Sequence, residues 1–297
     1  MDTRLTIKDM TRDELLQALS WQVEMGCDEA LLETPAISES WQVSLADLRQ
    51  QDEVKGPAPH PQSEPSHGPS VPVPSAPVPS APVPSGSVAL SSSDQGHIAK
   101  IASIETISEL KDYMGSFEGC ELKRTATNLV FSDGHPDADI MIIGEAPGKD
   151  EDRMGVPFVG SAGQLLDQML GAVKLDRQSV YITNIIPWRP PGNRPPTPEE
   201  IEMMRPFVEK HIALVKPRFL LALGGTACKT LLGTETGIMK LRGQIQNYQS
   251  ITAATSPFTL PLMPCLHPGF LLRSPQHKSF VFQDLVALRR SYDSQQA

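Results

Sequence analysis

The chain has 297 residues and a formal charge of -9, which leaves room for one large or two small domains with an ample core. No apolar run approaches the length of a membrane span, and Met1-Asp2-Thr3-Arg4-Leu5 begins no secretory leader, so a soluble, cytoplasmic protein without membrane partners is expected. Cys27, Cys120, Cys228 and Cys265 form no CxxC pair and no disulfide framework, as suits a reducing compartment. The acidity is local. Of 26 basic and 35 acidic residues, 5 and 14 fall within residues 1–97, so the remainder is balanced at 21 of each. Such a domain can still bind nucleic acid if its cations gather on one face.

In chain order, Leu15, Leu16, Leu19, Val23, Leu31 and Leu32 recur at roughly helical intervals, with Thr11 before Asp13 and Glu14 as an N-cap. A small helical segment is expected over residues 1–50. Residues 51–97 read as a linker. From about Gly56 to Ser87 they are rich in Pro and Ser and contain the repeat Val73-Pro74-Ser75-Ala76-Pro77-Val78-Pro79-Ser80, which cannot bury enough apolar surface to offset its ordering entropy.

Residues 98–297 carry an α/β pattern. Strands are expected at Asp139–Ile143, Ser179–Ile185, Arg218–Leu223 and Thr259–Pro264, and helices at Gly160–Val173, Pro198–Val215, Thr226–Leu232 and Lys278–Tyr292. Thr197-Pro198-Glu199-Glu200 is a strong helix start, since Thr caps, Pro suits the first turn and the acids complement the dipole. Alternation of this kind predicts a three-layer α/β/α fold around a mostly parallel sheet. The stretch Gly144-Glu145-Ala146-Pro147-Gly148-Lys149-Asp150-Glu151-Asp152, continued by Gly155-Val156-Pro157-Phe158-Val159-Gly160-Ser161-Ala162-Gly163, then lies at the carboxyl end of a strand, where open α/β sheets bind ligands.

Three further segments accompany that loop: Tyr181-Ile182-Thr183-Asn184, Arg189-Pro190-Pro191-Gly192-Asn193-Arg194, and Leu266-His267-Pro268-Gly269-Phe270-Leu271-Leu272-Arg273. In this order and spacing, over about Ile104 to Tyr292, they resemble the family 4 uracil-DNA glycosylases, the thermostable iron–sulfur branch of that superfamily. The resemblance implies the α/β/α fold and hydrolysis of the N-glycosidic bond of uracil in DNA, by a protein expected to be monomeric. Residues 1–50 would recruit a repair or replication partner. By the same resemblance, Glu145 and Ala146 line the uracil pocket, Phe158 stacks on the base, Asn184 reads its Watson–Crick edge and His267 donates to the carbonyl oxygen where charge accumulates. A side-chain amide suits an imide edge because it offers both a donor and an acceptor. Taken singly, Phe158 fits a core, Asn184 a turn and His267 a loop cap.

The aspartate that activates water in the best-known superfamily members aligns with Ala146, and family 4 also lacks it. Glu145, Glu151 and Asn184 remain as alternatives for positioning water. Arg189, Arg194 and Arg273 would contact DNA, with Leu271 and Leu272 as a wedge entering the minor groove. Two other readings stay open: a glycosylase for another deaminated base, and a non-catalytic DNA-binding module.

The chain departs from the family at the [4Fe–4S] ligands. Those four positions hold Phe117, Cys120, Trp188 and Met204, so a single thiolate stands where the cluster needs four. No cofactor is expected, and the three large apolar residues are expected to fill the cluster's volume.

Overall fold

A computed structural model describes residues 10–17 and 92–295, all within one compact unit. The rest of the expected helical segment, and the expected linker up to residue 91, lie outside the described residues. Helical structure begins earlier than residue 98, with α1 at Ser92–Ala102. It is followed by α2 (Ile107–Ser116), α3 (Leu122–Thr125), β1 (Asp133–Gly134), β2 (Ile140–Gly144), α4 (Lys149–Met154), α5 (Ser161–Gly171) and β3 (Val180–Asn184). Then come α6 (Pro198–Val215), β4 (Phe219–Leu223), α7 (Gly225–Leu232), α8 (Ile238–Leu241), β5 (Gln246–Gln249), β6 (Thr259–Cys265), α9 (Pro268–Arg273) and α10 (Lys278–Ser294).

The six strands are ordered β1-β3-β2-β4-β6-β5. The inner four are parallel and both edges antiparallel, with Asp133 opposite Ile182 at one side and Tyr248 opposite Leu260 at the other. Strands β2, β3 and β4 are buried along their whole length, so β2 and β4 are apolar runs, while β3 is apolar up to Thr183 and Asn184 at its carboxyl end. The pleat sends alternate side chains to two cores. Met141, Ile143, Leu220 and Ala222 meet α1, α2, α6 and α7 through Ile101, Leu110, Phe207, Ile212 and Cys228. Ile140, Ile142, Leu221 and Met263 meet α5 and α10 through Leu166, Met169, Phe282 and Leu285. The layers are therefore α/β/α.

Thr197 caps α6 as expected: its hydroxyl accepts from the Glu200 amide at 3.3 Å while the Glu200 carboxylate accepts from the Thr197 amide at 2.8 Å. Thr11 and Glu14 make the same reciprocal arrangement ahead of a helix over residues 12–17. That helix docks on the second core through Met10 and Leu15, and Glu14 pairs with Arg290 of α10.

Strand order reverses around β2, because the chain passes from β2 to β3 on one side and then to β4 on the other. A crevice at the carboxyl ends of these strands follows from that reversal. Gly144, Asn184, Gly224 and His267 stand at or just beyond those ends.

Candidate active site

The loop after β2 contains a helix that its Gly and Pro content concealed. Gly148 caps α4, and Gly155 closes it in the left-handed conformation at φ 70°. The carboxylate of Glu151 accepts from three backbone amides, those of Gly148 at 3.1 Å, Val159 at 3.0 Å and Gly160 at 2.8 Å. Asp152 ties the other side, its Oδ1 accepting from the amides of Thr127 at 2.8 Å and Asn128 at 3.2 Å. Glu151, expected as one of three groups able to position water, is thus committed to bracing the loop.

Glu145 and Ala146 leave the end of β2 half-buried. The carbonyls of Gly144 and Glu145 accept from the amides of Ile185 and Ile186 at 2.9 and 3.0 Å, which prolongs the β2–β3 ladder and fixes the loop's exit. No side-chain hydrogen bond or ion pair to a described residue engages the Glu145 carboxylate.

Gly144 explains how the next groups meet. A Cβ there would lie 2.4 Å from Asn184 Oδ1 and 2.6 Å from Phe158 Cζ, so only glycine admits both side chains. Asn184 is 5% exposed, and its Oδ1 has no hydrogen-bond partner among the described residues. A buried acceptor without a donor is costly, and that cost is recovered when a ligand supplies an N–H. Phe158 is buried and has φ 54°, an unusual value for an aromatic residue. Its carbonyl accepts from Arg177 and abuts Gly163, where a Cβ would stand 1.7 Å from that oxygen.

His267 arrives from β6. Its ring centroid is 5.7 Å from that of Phe158, and Gly224, at φ 94°, lets the preceding loop pass beside it. Nδ1 accepts from the Gly269 amide at 3.0 Å, which caps α9. Burial, reinforced by the positive charge of Arg273, lowers the imidazole's pKa to about 4. The ring is therefore neutral at pH 7, and because Nδ1 is an acceptor its one proton is on Nε2. Cap and donor, which the sequence offered as rival readings of His267, are two ends of one ring.

The remaining expectations divide. Leu266–Arg273 is largely the short helix α9 rather than a loop. His267 and Pro268 supply its cap and first position, a start signal that six residues of length obscured. Within it Leu271 is fully buried in the second core, so it is no wedge. Leu272 is 48% exposed and Arg273 is exposed. Arg194 is exposed but held by Glu200 at 2.6 and 2.9 Å, and Arg189 donates to Asn193 Oδ1 at 2.6 Å. A cavity of about 430 Å³ near Lys216 and Thr259 opens at the opposite ends of the strands and includes none of these residues.

Cys120, Trp188 and Met204 are buried in the first core, with Phe117 packed against it. His97 of α1 stacks on Phe117 at 4.3 Å and is hydrogen-bonded to the Tyr113 hydroxyl at 2.7 Å, while Phe207 lies 5.2 Å from both rings. Burial raises the Cys120 pKa, so it is a thiol rather than a thiolate. Among the described residues no group of His, Cys, Asp or Glu is placed to hold a metal. One buried thiol among rings and a thioether does not fit a four-thiolate cluster.

The family profile of the uracil DNA glycosylase superfamily matches residues 131–286, which include every group of this site. The chain belongs to that superfamily, in its family 4. A type-4 uracil-DNA glycosylase of Sulfurisphaera tokodaii is 32% identical over 191 residues, 63% of this chain and 84% of its own length. Those of Archaeoglobus fulgidus and Thermotoga maritima are 35% and 36% identical over 177 and 169 residues, 58% and 56% of this chain and 86% and 84% of theirs. In this family 4 chain, Asn184 at the end of β3, His267 just beyond β6 and Phe158 from the turn between α4 and α5 come to one place. Gly144, Gly163 and Gly224 make room for them, a role invisible in the sequence because it depends on neighbours distant along the chain.

Proposed function

We propose that the chain is a DNA glycosylase that hydrolyses the bond between uracil and deoxyribose, releasing the base and leaving an abasic site. The observation that carries this reading is the buried Asn184 Oδ1, which has no hydrogen-bond partner among the described residues and meets the Phe158 ring over Gly144, a ring that itself lies 5.7 Å from that of His267. A uracil turned out of the helix stacks on Phe158. Asn184 Oδ1 accepts from the base N3–H, and its amide nitrogen donates to the adjacent carbonyl. Cytosine would put a lone pair against Oδ1 and is rejected, since a site built for a hydrogen bond strongly disfavours a ligand that cannot make it.

As the C1′–N1 bond breaks, its electron pair moves onto the base and the sugar gains oxocarbenium character. His267 Nε2–H donates to the uracil oxygen that takes up this charge. A neutral imidazole serves as a donor without giving up its proton. Water then bonds to C1′ and loses a proton, and N1 of the departing base acquires one. Because Glu151 is engaged by three amides, the group that orients this water is Glu145. An electrophile as strong as the oxocarbenium ion needs orientation more than a strong base.

The wedge is Leu272 alone, with Arg273 and Arg189 as phosphate contacts and Arg194 a weaker one because Glu200 already neutralises it. The protein works without a cluster, its place taken by Phe117, Trp188, Met204 and the rings of His97, Tyr113 and Phe207. Residues 1–50 supply a recruiting arm for a repair or replication partner, and residues 98–297 the chemistry. The chain acts in the cytoplasm as a monomer.

Release of free base from a single-uracil oligonucleotide tests this reading, with iron measured on the same sample. Excision without stoichiometric iron is expected, and Asn184→Ala and His267→Ala should each slow it roughly 10²–10³-fold. No release from single- or double-stranded substrate would overturn the uracil assignment, and one cluster's worth of iron per chain would overturn the cofactor-free one.

A further inference from the structure

Phe158 is the stacking platform of the proposed site, yet its backbone occupies the left-handed region at φ 54°, which a bulky side chain leaves unless its surroundings hold it there. The restraint acts on its carbonyl group. Arg177, just ahead of β3, donates from Nη2 to Phe158 O and from Nη1 to Pro157 O at 3.3 Å. Two more of its hydrogens go to carboxylates from two further elements, Asp133 Oδ2 of β1 at 2.6 Å and Asp167 Oδ1 of α5 at 2.7 Å. On the opposite side Gly163 brings the first turn of α5 against the same oxygen.

We propose that Arg177 is a positioning residue for base excision. It locks the Phe158 peptide in the left-handed conformation, so that the ring is already turned toward Gly144, Asn184 and His267 before a base arrives. This rests on the glycosylase reading above. The planar guanidinium suits the task because its fork spans two adjacent carbonyls while both carboxylates fix its plane. A lysine ammonium at the same place is a point charge that satisfies only part of this set. The two aspartates are the means by which the edge strand and α5 bear on the site, although neither approaches the base.

The test is a double-mutant cycle in the full chain between Arg177→Met and Phe158→Ala, read as single-turnover uracil release, affinity for a uracil-free duplex of the same sequence, and melting temperature. Arg177→Met alone should slow release about 10–100-fold, the scale on which misplacing a positioned group acts, with duplex affinity within about threefold. In the Phe158→Ala background the same change should cost no more than about twofold, because the ring it positions is gone. Equal losses in both backgrounds would overturn the proposal, as would full activity of Arg177→Met. If that variant does not fold, Arg177→Lys goes through the same cycle, where a smaller loss with the same dependence on Phe158 is expected and additivity overturns. A wild-type chain that releases no uracil sinks the excision reading and this proposal with it, whereas an active wild type with an additive cycle sinks the Arg177 role alone.

Discussion

Glu145 and Glu151 are six residues apart in one motif, and their environments give them different work. Three amides converge on Glu151, so its charge is spent on holding α4 and the turn before α5. Glu145, half-buried at the end of β2, makes no side-chain hydrogen bond or ion pair to a described residue, which is why it is the one proposed to orient water. Glu145→Gln should therefore lower the rate of uracil release while the melting temperature stays within a degree or so, as for a substitution that breaks no structural contact. Glu151→Gln should lower the melting temperature and activity together, since one carboxylate oxygen becomes an amide that cannot accept from those N–H groups. Thermal melts beside single-turnover assays separate the two, and a Glu145→Gln protein with full activity would remove Glu145 from the chemistry.

At the scale of elements, α9 divides its leucines by helical geometry. Leu271 faces the second core beneath the crevice and Leu272 faces solvent. Leu271→Ala should cost about 2–5 kcal/mol in folding stability, the range for a buried leucine that leaves a cavity. Leu272→Ala should leave stability within about 0.5 kcal/mol and slow excision from duplex more than from single strands, because only a duplex must be unstacked. Denaturant titration and paired substrates decide this. Equal effects of Leu272→Ala on both substrates would remove the wedge. Elsewhere α1, α2 and α6 meet through His97, Phe117 and Phe207, so side-chain rings join helices where the family ligand positions fall.

For the molecule as a whole, two buried histidines contribute to the response to acid. His211 is held at a pKa of about 3 by burial, against Phe131 at 4.5 Å and the Tyr181 hydroxyl at 2.8 Å. His267 is held at about 4, chiefly by burial. Both values lie below the ordinary 6.5, so the unfolded chain binds more protons once the pH falls through that value. Their stabilisation is complete above about pH 6.5 and is lost progressively as the pH drops toward 4 and then 3. Denaturant titrations should thus show stability falling from pH 7 to 5, with a shallower fall in His211→Gln. An unchanged slope in that variant would mean that His211 does not contribute. Excision should show no loss attributable to His267 between pH 8 and 6.

The four inner strands, the helices between them and the cap of α6 were legible in the sequence, because apolar periodicity and capping chemistry are local. Motif order likewise pointed to Phe158, Asn184 and His267, and to the altered positions 117, 188 and 204. The edge strands were not legible: Asp133–Gly134 is too short for any period, and Gln246–Gln249 is polar because it has only one buried residue. Nor were α4 and α9, six residues each: α4 is bounded by Gly148 and Gly155, and α9 begins with Pro268 and Gly269, so both stretches read as loop. What the tertiary structure alone decided was allegiance. Glu151 turned to the backbone, Leu271 to the core and Arg177 to the Phe158 carbonyl, while Asn184 Oδ1 was left without a partner among the described residues. Each outcome depends on groups brought together from distant parts of the chain, and spacing along a sequence carries no record of such neighbours.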